Sequence, residues 1–293
     1  MYDITNIMEP ETMQEALKML DSNPKLKIIA GGTDVLIRLH HGDMEEAELL
    51  SIRNIKSLKD ITLLDDGTIS IGAMASFSDI FRSEIINKYI PVLAEAGVSM
   101  GGPQIRNMAT IGGNICNGAV SADSAPALFA LNAVLKLDSL NGTRIVSIKD
   151  FYAGPGKVKL LPGEILSALL ISKDNYNNMG GNYIKFSNRK AMDIAMLGVA
   201  VVCNSSGNKF NDLRIALGVA APTPIRCTEA EVYAKGKKIN EETIKEIGNL
   251  ALKSSNARDS WRGSKDYRQH LIVTLTQRAI KESIKRAGGS INE

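Results

Sequence analysis

The residues Ile28, Ile29, Ala30, Gly31, Gly32, Thr33, Asp34 and Val35 stand in a pattern that can hold an anion. An apolar strand runs into two glycines, a small hydroxyl residue and an acid, and a helix-like segment follows. Glycine permits backbone angles that let successive N–H groups converge, and its missing side chain lets a phosphate come close. A helix start just beyond adds a favourable dipole. One Gly-Gly pair of this kind is commonly an ordinary strand-to-helix turn, because short motifs discriminate poorly.

A second cluster gives the first its weight. Met100-Gly101-Gly102-Pro103 leads into Thr110, Ile111, Gly112, Gly113 and Asn114, then Ile115-Cys116-Asn117, with Asp123 beyond in Ser121-Ala122-Asp123-Ser124. So much Gly, Asn, Thr and Ser reads as a long, polar, backbone-exposing loop rather than a buried helix, and such loops usually carry function. Two glycine pairs at the ends of different elements would clamp a diphosphate between them. Neither GxGxxG after a strand nor GxxxxGK[ST] is present; Gly154-Pro155-Gly156-Lys157 is flanked by the wrong residues for the latter. Three histidines, His40, His41 and His270, are too few and scattered for a zinc or iron site or a hydrolytic triad.

Three dispersed segments together carry a resemblance. They are Ala30-Gly31-Gly32-Thr33-Asp34-Val35-Leu36, Thr110 to Cys116 with Asp123, and Asp259-Ser260-Trp261-Arg262-Gly263-Ser264-Lys265-Asp266-Tyr267-Arg268. In order and spacing the chain resembles, over essentially its whole length, the flavin-binding subunit of the xanthine dehydrogenase (molybdenum hydroxylase) family. The resemblance implies an α+β protein: a vanillyl-alcohol-oxidase-type FAD-binding domain over residues 1–175, then a smaller domain of antiparallel sheet plus helices over 180–293, of the carbon monoxide dehydrogenase flavoprotein C-terminal type. It implies that Ile28 to Val35 wrap the FAD diphosphate, with Thr33 donating its hydroxyl, and that Thr110 to Asn114 form the facing loop. Asp123 would hold polar groups of the cofactor, Ile165 would contact the nucleotide, and Lys185 would lie near the flavin from the second domain. Met100 stands where some relatives place an aromatic over the ring.

The same resemblance implies the chemistry. Substrate would be hydroxylated on a molybdopterin-binding large subunit, and electrons would pass through 2Fe–2S clusters on a small subunit. FAD on this chain would collect them and hand a hydride to NAD. The flavin would carry the reaction and the protein would set its position and access. Xanthine is the substrate suggested by overall likeness, with nicotinate, aldehydes and carbon monoxide as alternatives. The benzoyl-CoA-reducing relatives carry a cysteine-rich insertion that this chain lacks. The rival readings are a self-contained flavin oxidoreductase of the same fold and an assembly module without cofactor.

On the residues alone, blander roles compete. Lys185 at a strand end reads as a snorkelling surface lysine. Trp261, the only tryptophan, reads as an anchor between the terminal helices. Cys116 reads as a small buried hydrophobe, and Asp123 as favourable charge before a helix.

The elements that must position these groups are legible in outline. Thr12 with Glu15 forms a capping-box signature ahead of Met13, Ala16, Leu17 and Leu20. Strands are expected over 26–30 and 48–52, with a helical stretch over 35–40. Asp66-Gly67 and Asn141-Gly142 mark hairpins. Residues 76–89 and 125–131 read as helices. The polar stretch 174–182 reads as a domain boundary. Beyond it, strands near 183–186, 194–203 and 212–219 and helices over 241–254 and 265–286 suggest a helix-backed antiparallel sheet.

Composition bounds the rest. The 293 residues are 44% hydrophobic and 23% charged, a globular balance. Thirty-five basic residues against 32 acidic ones leave a net charge of +3 without a long basic run, so no nucleic-acid partner is expected. The N-terminal stretch is acidic rather than apolar, and the longest apolar run, 194–203, is about half of a membrane span, so neither export nor membrane insertion is expected. Three cysteines, at 116, 203 and 227, form no CxxC pair; they cannot alone ligate an iron–sulfur cluster and suit a reducing cytoplasm.

Overall fold

The computed structural model describes residues 2–291. The chain opens with three short parallel strands, β1 (Ile4–Met8), β2 (Lys27–Ile29) and β3 (Ala47–Ser51), ordered β1-β3-β2. Parallel strands need crossovers, and α1 (Met13–Ser22) and α2 (Val35–His40) supply them. The capping box is complete: Glu15 N–H donates to Thr12 Oγ1, and the Glu15 carboxylate accepts from Thr12 N–H. The buried residues of α1 are Ala16, Leu17 and Leu20, as the helical spacing requires.

A five-stranded antiparallel sheet forms the middle of the molecule. Its hairpin β4 (Ile61–Leu63) and β5 (Ile69–Gly72) turns at Asp66-Gly67, where Gly67 has φ +80° and Asp66 accepts from Thr68 N–H. Six helices follow: α3 (Phe77–Arg82), α4 (Glu84–Tyr89), α5 (Pro91–Val98), α6 (Pro103–Met108), α7 (Ile111–Cys116) and α8 (Ser124–Ala130). The chain returns through β6 (Val134–Ser139) and β7 (Gly142–Ser147), the short α9 (Ile148–Phe151), the small hairpin β8 (Tyr152–Gly154) and β9 (Lys157–Val158), and β10 (Ile165–Ile171). The order β4-β5-β10-β6-β7 puts β10 at the centre.

Three expectations are corrected here. The helix expected over 76–89 is two helices, because Ser83 adopts extended angles, ends α3 and caps α4 by accepting from Ile86 N–H. The stretch 100–123, expected as an exposed loop, contains α6 and α7. Pro103 starts the first; Thr110 caps the second, whose Ile111, Gly112 and Ile115 are buried. Packing here outweighs the poor helix propensity of glycine and asparagine. Trp261 is no anchor: it is 81% exposed.

A four-stranded antiparallel sheet completes the chain: β11 (Gly180–Phe186), β12 (Leu197–Ser206), β13 (Lys209–Gly218) and β14 (Ile225–Arg226), in sequence order. Three helices follow, α10 (Thr228–Ala234), α11 (Glu241–Lys253) and α12 (Lys265–Arg286). Side chains alternate across a strand, and β12 is buried on both faces. Val199, Val201 and Cys203 pack with Ile272, Ile280 and Ile284 of α12. Ala200 and Val202 enter the larger core that holds Leu93 of α5 and Leu128 of α8. The second sheet is therefore built onto the first part of the chain rather than tethered to it. Among the described residues, no helix is long and apolar enough to cross a membrane.

Candidate functional site

A cavity of about 1810 Å³ lies between these parts. That exceeds the ~300–1,000 Å³ of drug-sized sites and suits an extended ligand. Its walls are the β2–α2 turn, the α6–α7 segment, the 160–166 stretch that enters β10, and residues 189–194 and 261–262 from beyond β11.

The β2–α2 turn supplies the donors. Among the described residues, the N–H groups of Gly31, Gly32, Thr33, Asp34 and Val35 have no acceptor, and neither does the Thr33 hydroxyl. All five line the cavity. Gly32 has φ +76°, an angle glycine adopts without penalty, and this turns the chain. Gly31 is required by space: a Cβ there would sit 1.8 Å from Met108 O. The turn is thus pressed against the end of α6. Burial raises the Asp34 carboxyl above its ordinary pKa, and a hydrogen bond from the Asn117 side chain opposes this.

The second glycine turn abuts the first, with a Cβ on Gly113 falling 3.8 Å from Ala30 Cβ. Its amides are already engaged. Ile111 N–H donates to Ala75 O, Gly112 N–H to Ala73 O, Gly113 N–H to Thr110 Oγ1 and Asn114 N–H to Thr110 O. Gly112 is a packing residue, since a Cβ would lie 2.5 Å from Ala73 Cβ. The expected clamp of two amide-lined turns is therefore one-sided. The second turn offers Asn114, whose Oδ1 accepts from Ser124 Oγ at 2.7 Å while its side-chain N–H₂ has no partner among the described residues.

Asp123 lines the cavity and belongs to a buried polar cluster. Lys185 Nζ donates to Asp123 Oδ2 at 2.8 Å and to Ser99 O at 3.0 Å, and Tyr183 Oη donates to Asp123 Oδ1 at 3.3 Å. The Lys185 and Asp123 side chains are only 9% and 7% exposed. Burial raises the Asp123 carboxyl, and the Lys185 charge opposes that rise. The surface-lysine reading of Lys185 is overturned by its burial. Lys185 does not itself face the cavity but acts through Asp123.

Ile28, Ala30, Ile165, Thr110, Gly112, Gly113 and Asn114 also line the wall, as expected, together with the nearly buried Met100. Besides Lys185, two expected residues do not. The Ile29 side chain packs beside Leu39 and Leu49, and Ile111 is fully buried in the main core, because strand and helix periodicity turn them inward. Trp261 and Arg262 at the cavity wall were missed as site residues. The signal was present: a lone tryptophan beside an arginine in a tight turn. Cys116 lines the cavity half-buried rather than buried, and burial still pushes its thiol up to about 12. Among the described residues, no group of three or more His, Cys, Asp or Glu stands together.

Comparison with known proteins identifies what this architecture belongs to. The FAD binding domain in molybdopterin dehydrogenase matches residues 3–172, and the CO dehydrogenase flavoprotein C-terminal domain matches 182–283. The chain is 42% identical to the xanthine dehydrogenase FAD-binding subunit of Escherichia coli O157:H7, covering 99% of this chain and 100% of that one. It is 32% identical to the glyceraldehyde dehydrogenase medium chain of Sulfolobus acidocaldarius, over 93% and 95% of the two chains. Among solved structures, carbon monoxide dehydrogenase from Hydrogenophaga pseudoflava superposes with a TM-score of 0.92 at 28% identity, covering 98% of this chain and 99% of that one. The two-part fold is that of an FAD-binding oxidoreductase subunit, and the chain belongs to the xanthine dehydrogenase (molybdenum hydroxylase) family.

Proposed function

We propose that this chain is the FAD-carrying electron-transfer subunit of a xanthine dehydrogenase-like enzyme, working with a molybdopterin-binding large subunit and a 2Fe–2S small subunit. When bound, FAD supplies two-electron chemistry that joins the partner's 2Fe–2S clusters to NAD as acceptor. The single observation that carries the reading is the run of five amides, Gly31 to Val35, unpaired among the described residues, on the wall of a cavity of a volume that suits a dinucleotide.

The residues present fit such a cofactor. The 31–35 amides and the Thr33 hydroxyl would hold the diphosphate, presented to it by the turn that Gly32 makes at φ +76°. Thr110, with its hydroxyl proton still available, and the Asn114 amide would close on the cofactor from the facing turn. Asp123, kept in place by Lys185 and Tyr183, would accept from a polar group of the flavin or ribityl chain. Ile165 and Met100 would give apolar contact. In this reading residues 1–175 form the FAD-binding unit and 180–293 the unit that covers it.

The test is direct. Purified protein should carry stoichiometric, non-covalent FAD and co-purify with molybdopterin and iron–sulfur chains from its native host. Protein that stays colourless after incubation with saturating FAD would overturn the cofactor assignment. Protein that binds FAD and reacts alone, without such partners, would favour a self-contained flavin oxidoreductase.

A further inference from the structure

The turn at Ser260–Gly263 leaves groups unaccounted for by flavin binding. Trp261, the only tryptophan of the chain, is 81% exposed, although large aromatics are mostly buried. The Arg262 guanidinium lies over its ring, 4.2 Å from the centroid, and both residues line the cavity. The turn is held firmly. Ser260 and Gly263 exchange backbone hydrogen bonds at 3.1 Å, and Gly263 sits against the Met196 sulfur, where a Cβ would be 2.9 Å away. Arg268, 3% exposed, binds Met196 O and Ser260 Oγ from beneath.

The charge around this turn is uncompensated. Burial and the positive charges of Arg258 and Arg262 hold the Arg268 pKa down, with Asp259 opposing. Asp259 Oδ1 is engaged by Lys265 N–H, and among the described residues Arg258 and Arg262 make no ion pair. The Nε atoms of Arg262 and Arg268 are buried without acceptors. A positive cluster of this kind favours an anion, and a stacked Arg–Trp pair favours one attached to a planar ring. The FAD diphosphate already has the 31–35 amides, so the arginines are left for a second ligand.

We propose that the Trp261–Arg262 lip is the landing site of the soluble electron acceptor, an aromatic nucleotide bearing a diphosphate: Trp261 stacks on a ring of the acceptor, and Arg262 takes its phosphates. The inference rests on the cavity holding FAD and deepens the acceptor half of that reading.

Calorimetric titration of the FAD-loaded full chain with NAD tests it, with fluorescence of the lone tryptophan marking the site. NAD should quench that fluorescence saturably. Arg262→Ala should raise the Kd for NAD by about tenfold or more, as expected for lost charge-assisted hydrogen bonds, with FAD content unchanged. Trp261→Leu should weaken NAD binding by a smaller factor, again with FAD retained. An unchanged Kd in these variants would overturn the proposal, as would loss of partner-subunit binding alone, which would make the lip a protein contact. No NAD binding to an FAD-loaded wild type would defeat the inference and leave the flavin assignment standing; failure to load FAD would instead strike that assignment.

Discussion

From Gly31 to Val35 five consecutive amides find no acceptor among the described residues, whereas from Ile111 to Asn114 every amide has one. The two segments have similar composition, each with a glycine pair beside a threonine, and they touch. In the first turn, a glycine at positive φ leaves the backbone amides open to the cavity. In the second, glycine lets a short helix press against Ala73 and so fixes a wall. Glycine content alone therefore does not mark an anion site; the destination of the N–H groups does.

The strongest way to break this contrast is Gly31→Ala. Its Cβ would collide with Met108 O, so the two turns must separate. Strain of this kind costs about 1–3 kcal/mol or more, and FAD should be lost from whatever protein folds, read by flavin absorbance and denaturant midpoint. Gly112→Ala should cost comparable stability through Ala73, yet its folded fraction should keep FAD.

A second large effect lies at the wall. Lys185→Met strands the Asp123 carboxylate, and losing one partner of a buried pair typically costs about 3–5 kcal/mol. The pH dependence has a defined sign. Burial puts the folded Asp123 pKa above its unfolded value, so its contribution is most favourable at low pH and is lost as pH rises from the unfolded pKa, about 3.9, through the folded one. Without Lys185 the folded value climbs further. The variant should regain stability relative to wild type on acidification from neutrality, and Asp123→Asn should rescue it at neutral pH.

A matched threonine pair sharpens the comparison. Thr33 has no side-chain hydrogen bond among the described residues, so Thr33→Ala should leave the melting temperature unchanged while weakening FAD binding by about ten- to a hundredfold, as roughly 1.5–3 kcal/mol for a bond to a charged group implies. Thr110 caps α7, so Thr110→Ala should cost about 1 kcal/mol of stability with a smaller change in affinity. The smallest expected effect is chemical: with its thiol near 12, Cys116 should resist alkylation at pH 8 in flavin-free protein, checked by mass spectrometry.

Much of this was legible in the chain. Local rules place α1 by its capping box, both Gly-turn hairpins, and the strand–glycine–helix junction at 28–35, because each depends on neighbours in sequence. α5 lacked a signal: it is buried on nearly every side, so no polar face alternates with an apolar one. α7 was hidden because its stability comes from Ala73, Ala75 and a threonine cap rather than helix propensity. The pairing of Lys185 with Asp123 joins residues far apart in the chain, and no periodicity reports such a contact. Trp261 was misplaced by an average: tryptophans are usually inside, and this one is held out by a turn.

The double burial of β12 has a mechanical consequence. Its odd-numbered residues knit one core and its even-numbered ones another, so the strand works like a shared rib between two hulls. Movement of one part against the other would have to slide Ala200 and Val202 across close-packed neighbours. Any opening or closing of the cavity would thus be left to its rim segments, with the frame behind them held rigid.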